Sequence, residues 1–151
     1  NAGQTCIAPD YILVQRDLKD AFVREFRSAV SALLGVHPEE SPYCGRIVSD
    51  RAFQRIVSYL SEGEVLAGGH YDENTRFMEP TLLGDVSLDS TVMQDEIFGP
   101  VFPVLVYDDL GEVALSIHAP SRWHCIISVR SVLDGNLSEG RVPAEPASTI
   151  P

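Results

Sequence analysis

Short apolar, β-prone runs separated by stretches of helical periodicity constrain this chain more than any other feature of it. Tyr11-Ile12-Leu13-Val14 reads as a short buried strand. After it, Leu18, Phe22, Phe26, Ala29, Val30, Leu33 and Leu34 recur at spacings of three and four, which gives a helix one apolar face. Asp17 is placed to cap that helix and Gly35 to stop it. A loop with His37-Pro38 and Ser41-Pro42 leads to a second helix, capped by Ser49 or Asp50, with Phe53, Ile56, Val57 and Leu60 on its buried side and Gly63 at its end. Glu64–Ala67 reads as a strand, Gly68-Gly69 as a turn, and a polar loop through Asn74 returns the chain to Phe77 and Met78. Thr81-Leu82-Leu83 is extended. Val101–Tyr107 is the stronger strand, with Pro103 marking a place that needs no ladder donor. Asp108 or Asp109 can cap a helix running to about His118. Strands alternating with helices predict an α/β fold, a largely parallel sheet flanked by helices.

The chain has 151 residues, enough to bury one core. Its 11 basic and 22 acidic side chains leave a net charge of −11, which argues against nucleic acid and disfavours an anionic membrane surface. The apolar run 97–107 is too short to span a bilayer and holds Pro100 and Pro103. Cys6, Cys44 and Cys125 form no metal spacing and no even disulfide framework. With no secretory leader, they fit a reducing compartment, so the expected location is intracellular, in the cytoplasm. The chain starts at Asn1 and so reads as a piece of a longer polypeptide, from which a targeting signal could have been lost.

Cys6 follows Gly3-Gln4-Thr5 and precedes the first apolar run. That sets a nucleophile on a turn, where a carbonyl carbon could reach it; the attacking species is the thiolate, which needs exposure. The competing role is a buried cysteine acting as a small apolar filler. Glu96 lies in Gln94-Asp95-Glu96-Ile97-Phe98-Gly99-Pro100, apolar on one side and turn-like on the other. A carboxylate there can accept from two hydroxyls; the competing role is a surface glutamate, and for Phe98 a core aromatic. Gln4 and Thr5 shape the loop. His37, His70, His118 and His124 show no metal spacing, so no metal is expected; a Cys6–histidine dyad is the rival chemistry, with no histidine in a suggestive setting.

These two motifs together resemble the aldehyde dehydrogenase superfamily, as do Gln4-Thr5-Cys6-Ile7-Ala8-Pro9-Asp10-Tyr11, Ser41-Pro42, Arg46-Ile47-Val48, Phe53-Gln54-Arg55 and Glu79-Pro80-Thr81. The set looks most like the class 3 branch, which oxidises fatty and aromatic aldehydes. The resemblance covers roughly 1–115, a catalytic-domain segment. Beyond it, 116–151 departs from the family's pattern, although Cys125-Ile126-Ile127-Ser128-Val129 can form one strand, and 134–151 has the composition of a disordered tail. An altered carboxyl terminus would account for the change.

The resemblance implies that Cys6 is the catalytic nucleophile and that Glu96 and Phe98 lie at the nicotinamide ribose of NAD or NADP. It further implies aliphatic or aromatic aldehyde substrates and homodimeric full-length enzymes, and it leaves membrane association open. The family's phosphate-binding domain, its general base and its oxyanion asparagine come before the cysteine motif, so this polypeptide by itself is expected to turn over no aldehyde at a meaningful rate. The rival function is a non-catalytic truncated form, acting as a binding or regulatory subunit or without function. A partial sheet is also expected to leave open edges, exposed apolar faces and a tendency to self-associate.

Overall fold

The computed structural model describes residues 1–109 and the backbone of Ile126–Val129. β1 (Tyr11–Gln15) is buried over its first four residues, as its uninterrupted apolar run requires. The chain then makes one 3-10 turn, Arg16–Leu18, before α1 (Lys19–Leu34) begins. Asp17 therefore does not cap the helix as its position suggested: it already lies inside the tight turn, and no side chain caps α1. The turn is tied instead through Arg16, whose guanidinium makes two 2.8 Å hydrogen bonds to the Asp108 carboxylate at the far end of the last apolar run. Gly35, at φ +87°, ends α1 and donates its N–H to the Ser31 carbonyl at 2.9 Å.

The apolar stripe of α1 is only partly used. Leu18, Phe22, Val23 and Phe26 pack on a cluster of Ile12, Val14, Ala67, Leu82 and Val104, whereas Ala29 and Leu33 are exposed. Length explains this. A helix of 16 residues is about 24 Å long, and five-residue β1 about 17 Å, so the helix outruns the strand beside it.

In α2 (Asp50–Tyr59) the Ser49 hydroxyl accepts the Ala52 N–H at 3.3 Å, which selects Ser49 over Asp50 as the cap. Phe53, Ile56 and Tyr59 are buried, with Val57 and Leu60 half-buried beside them. They share a cluster with Ile47, Met78, Leu83, Val92, Ile97 and Val101. Leu82 faces the α1 cluster and its neighbour Leu83 the α2 cluster. Successive strand residues point to opposite faces, so the two helices cover opposite sides of the sheet.

The main sheet runs β2 (Glu64–Ala67), β5 (Thr81–Gly84), β6 (Val101–Tyr107), β1, β7 (Ile126–Val129). β5 to β6, β6 to β1 and β1 to β7 are parallel, and β2 joins β5 antiparallel with a bulge between Val65 and Ala67. A separate two-stranded hairpin pairs β3 (Tyr71–Asp72) with β4 (Phe77–Met78). This is the expected α/β fold with a mostly parallel sheet. The ladder from β6 to β5 runs through Val101, Phe102 and Pro103, and the ladder to β1 starts at Val104. Pro103 thus stands where the strand changes partners. β7 realises the strand expected after Cys125, pairing Tyr11 with Ile126. The helix expected up to His118 and the tail 134–151 lie outside the described residues. Among the described residues, no helix is long and apolar enough to cross a membrane.

Candidate active site

The loop ahead of β1 is wound tightly by its own backbone. Gln4 N–H donates to Asn1 O, Thr5 N–H to Gly3 O at 2.9 Å, and Ala8 N–H to Thr5 O at 2.9 Å. That last bond closes a turn whose middle residues are Cys6 and Ile7, so the thiol stands at its tip, exposed and free. Gln4 fixes the loop to the segment before α2. Its side-chain amide donates to Arg46 O at 2.9 Å, and its carbonyl oxygen accepts Val48 N–H at 2.9 Å. Gln4 therefore shapes the loop, as expected. The buried-filler role for Cys6 is excluded by its exposure.

The segment carrying Glu96 is pinned at one buried residue. Ile97 is in the α2 core, 1% exposed. Its N–H donates to Asp10 Oδ1 at 3.0 Å, and its carbonyl accepts from Arg55 Nη2 at 2.8 Å. A second Arg55 nitrogen donates to the Glu96 carbonyl at 3.4 Å and to the Tyr59 hydroxyl at 2.7 Å, with the guanidinium 5.5 Å from the centre of the Tyr59 ring. Anchoring Ile97 inward turns its neighbours outward. Glu96 is exposed, and Phe98 is 40% exposed with φ +48°, so Phe98 is not the core aromatic of the competing reading. The left-handed backbone costs a side-chain-bearing residue on the order of 1 kcal/mol, and such conformers persist only where their surroundings enforce them.

The two loops meet at their glycines. Gly3 has φ +72°, and a Cβ there would stand 2.7 Å from the Gly99 carbonyl carbon. A Cβ on Gly99 would stand 2.6 Å from Ile56 Cδ1 of α2. Hence the Cys6 loop lies backbone to backbone on the Glu96 loop, which lies in turn on α2. Only residues without side chains permit both approaches.

Asp10 and Arg55 also brace the site, although neither carries a local sequence signal for that role. The carboxylate of Asp10 is buried just before β1, 5% exposed, and its partner is a backbone N–H far along the chain. Arg55 stands four residues before Tyr59 on α2, a spacing that brings two side chains together; no such pattern reveals the backbone carbonyls it also holds. Beside Asp10, Tyr11 has its phenol pushed above the usual range, first by burial and then by the Asp10 charge. Burial likewise raises the Cys44 thiol, against the smaller opposing pull of Arg46. His37 pairs with Glu39 at 3.3 Å and His70 leans over the Phe77 ring; His118 and His124 lie outside the described residues. Among the described residues, no group of His, Cys, Asp or Glu side chains could hold a metal ion.

The site thus holds an exposed thiol on a braced turn and an exposed carboxylate on the adjoining, pinned loop. The aldehyde dehydrogenase family model matches residues 1–118, and this chain belongs to that family. It is similar to 4,4'-diaponeurosporen-aldehyde dehydrogenase of Staphylococcus aureus, 44% identical over 120 residues that cover 78% of this chain and 26% of that protein. Aldehyde dehydrogenase family 3 member B1 of Homo sapiens is 41% identical over 112 residues, 74% of this chain and 24% of that one. Among solved structures, a substrate-bound state of Staphylococcus aureus AldH has a TM-score of 0.73 at 43% identity, covering 78% of this chain and 26% of its own. An NAD+ complex of a Bacillus cereus aldehyde dehydrogenase has a TM-score of 0.61 at 32% identity, covering 74% and 24%. The chain thus spans about a quarter of the length of these relatives.

Proposed function

We propose that this chain supplies the nucleophile and the ribose-side cofactor contacts of an NAD(P)-dependent aldehyde dehydrogenase that converts aldehydes to carboxylic acids. The observation that carries this reading is the contact of Gly3 with Gly99, which sets the exposed Cys6 turn and the exposed Glu96 and Phe98 on adjoining loops. The Cys6 thiolate adds to the aldehyde carbon, forming a carbon–sulfur bond and placing the carbonyl electron pair on oxygen. The backbone N–H of Cys6 is the donor that this chain offers to the oxyanion of that thiohemiacetal. NAD or NADP, when bound, supplies the acceptor for the two electrons and the hydrogen that leave the substrate carbon. Water then cleaves the resulting Cys6 thioester and frees the acid and the thiol.

The residues present fit such a cofactor. Glu96 is acceptor-only when ionised, and its two oxygens suit the two hydroxyls of a ribose. The exposed Phe98 beside it offers an apolar surface to the same sugar. The nicotinamide-side ribose is common to both dinucleotides, so these residues serve NAD and NADP alike. Ile7, 79% exposed next to Cys6, suits an apolar aldehyde, aliphatic or aromatic. A thiolate nucleophile has to stay reduced, which favours a reducing compartment inside the cell.

The test is NADH formation with a medium-chain or aromatic aldehyde, first with this chain alone and then with the Staphylococcus aureus relative in which residues 1–109 replace the matching segment. The hybrid turns over; the chain alone does not. Cys6→Ser in the hybrid lowers kcat by about 10³-fold or more. Clear turnover by the pure chain, or an unaffected Cys6→Ser hybrid, would contradict the proposal.

A further inference from the structure

We propose that Arg55 is a positioning residue for the cofactor loop: from α2 its guanidinium holds the carbonyls of Glu96 and Ile97 and so fixes the outward presentation of Glu96 and Phe98 and the left-handed backbone at Phe98. This rests on the reading of Glu96 and Phe98 as the ribose contacts. The geometry is specific. One guanidinium nitrogen reaches Ile97 O at 2.8 Å, and the other is shared between Glu96 O at 3.4 Å and the Tyr59 hydroxyl at 2.7 Å. The planar fork can serve two adjacent carbonyls at once, which a lysine ammonium on its flexible stem does less well. Stacking over the Tyr59 ring at 5.5 Å holds the fork in orientation. On the opposite side of the same residue, Asp10 takes the Ile97 N–H at 3.0 Å. Ile97 is thereby gripped at both its N–H and its carbonyl, from two elements distant in sequence.

The strain at Phe98 gives this grip a consequence. Its φ of +48° is sparsely populated for a residue with a side chain, so the loop relaxes once the restraints on the preceding peptides are gone. Relaxation would move the Glu96 carboxylate, whereas the Cys6 turn keeps its own backbone bonds and its tie through Gln4 to Arg46 and Val48. A defect in cofactor binding, rather than in the nucleophile, is what distinguishes positioning from a general contribution to folding.

Two measurements test it. In this chain, amide hydrogen exchange is followed over 95–101 for Arg55→Ala, Arg55→Lys and the exposed control Arg51→Ala. Arg55→Ala is expected to speed exchange of that segment by about tenfold or more while α1 stays protected, with Arg55→Lys between and Arg51→Ala unchanged. In the hybrid with the Staphylococcus aureus relative, Arg55→Ala is expected to raise KM for the dinucleotide by about tenfold with kcat within about twofold. Unchanged exchange over 95–101, or a loss of protection throughout the chain in both Arg55 variants, would overturn the proposal. Glu96→Gln separates it from the reading beneath it. If Glu96→Gln raises the dinucleotide KM and Arg55→Ala does not, positioning fails; if Glu96→Gln leaves that KM unchanged, the ribose assignment itself fails.

Discussion

Gly3 and Gly99 lie against each other backbone to backbone, and a Cβ on Gly3 would stand 2.7 Å from the Gly99 carbonyl carbon. Gly3→Ala therefore meets two penalties, a left-handed φ of +72° and a collision with main chain that cannot swing aside. The expected loss of stability is about 2 kcal/mol or more in urea denaturation. A loss under half that size would show that the loops separate freely.

Asp10→Ala leaves the Ile97 N–H buried with no acceptor from that side chain. An unsatisfied buried donor costs about 1–3 kcal/mol, and that is the expected destabilisation. The Asn variant retains an acceptor oxygen and should lose less. Equal losses for Ala and Asn, measured by the same denaturation curves, would point to the charge rather than the bond.

Thiol chemistry should discriminate between two cysteines. Cys6 is exposed on its turn, whereas Cys44 is half-buried and its thiol is raised by that burial. Near pH 7.5, iodoacetamide should modify Cys6 about tenfold faster than Cys44, because Cys6 is exposed while burial both shields the Cys44 sulfur and raises its thiol. Peptide mapping of the partly labelled chain checks the order.

Tyr11 ties stability to alkaline pH. Its phenol sits above the ordinary value of 10.0 in the folded chain, through burial first and the Asp10 charge second. The native state thus keeps a proton that the unfolded chain has begun to lose. Tyr11 is not penalised below pH 10, and its share of stability disappears as pH rises from there through the folded value. Tyr11→Phe should flatten the fall in unfolding midpoint above pH 10; an unchanged slope would remove Tyr11 from the cause.

Much of the fold was legible because β1 and β6 are unbroken apolar runs and because α1 and α2 repeat at helical spacing. Ser49, Gly35 and Pro103 each did what its chemistry suggested. Asp17 did not, since a 3-10 turn before the helix is set by the exit from β1 and its tie to Asp108, not by a local capping pattern. The outer half of the α1 stripe misled for a related reason: periodicity names the face of a helix, while the length of the neighbouring strand decides how much of it is covered. Cys6, Glu96 and Phe98 stood out as residue types in recognisable runs. Asp10 and Arg55 did not, because their partners are main-chain groups and any sequence supplies those.

The most direct measurement is to quench the hybrid in acid during turnover of an aromatic aldehyde with NAD and map the trapped adduct by peptide mass. The acyl group should be found on Cys6, and only when both aldehyde and NAD are present. Continued turnover with Cys6 unmodified, or with the acyl group on another side chain, would contradict the assignment of Cys6 as the nucleophile.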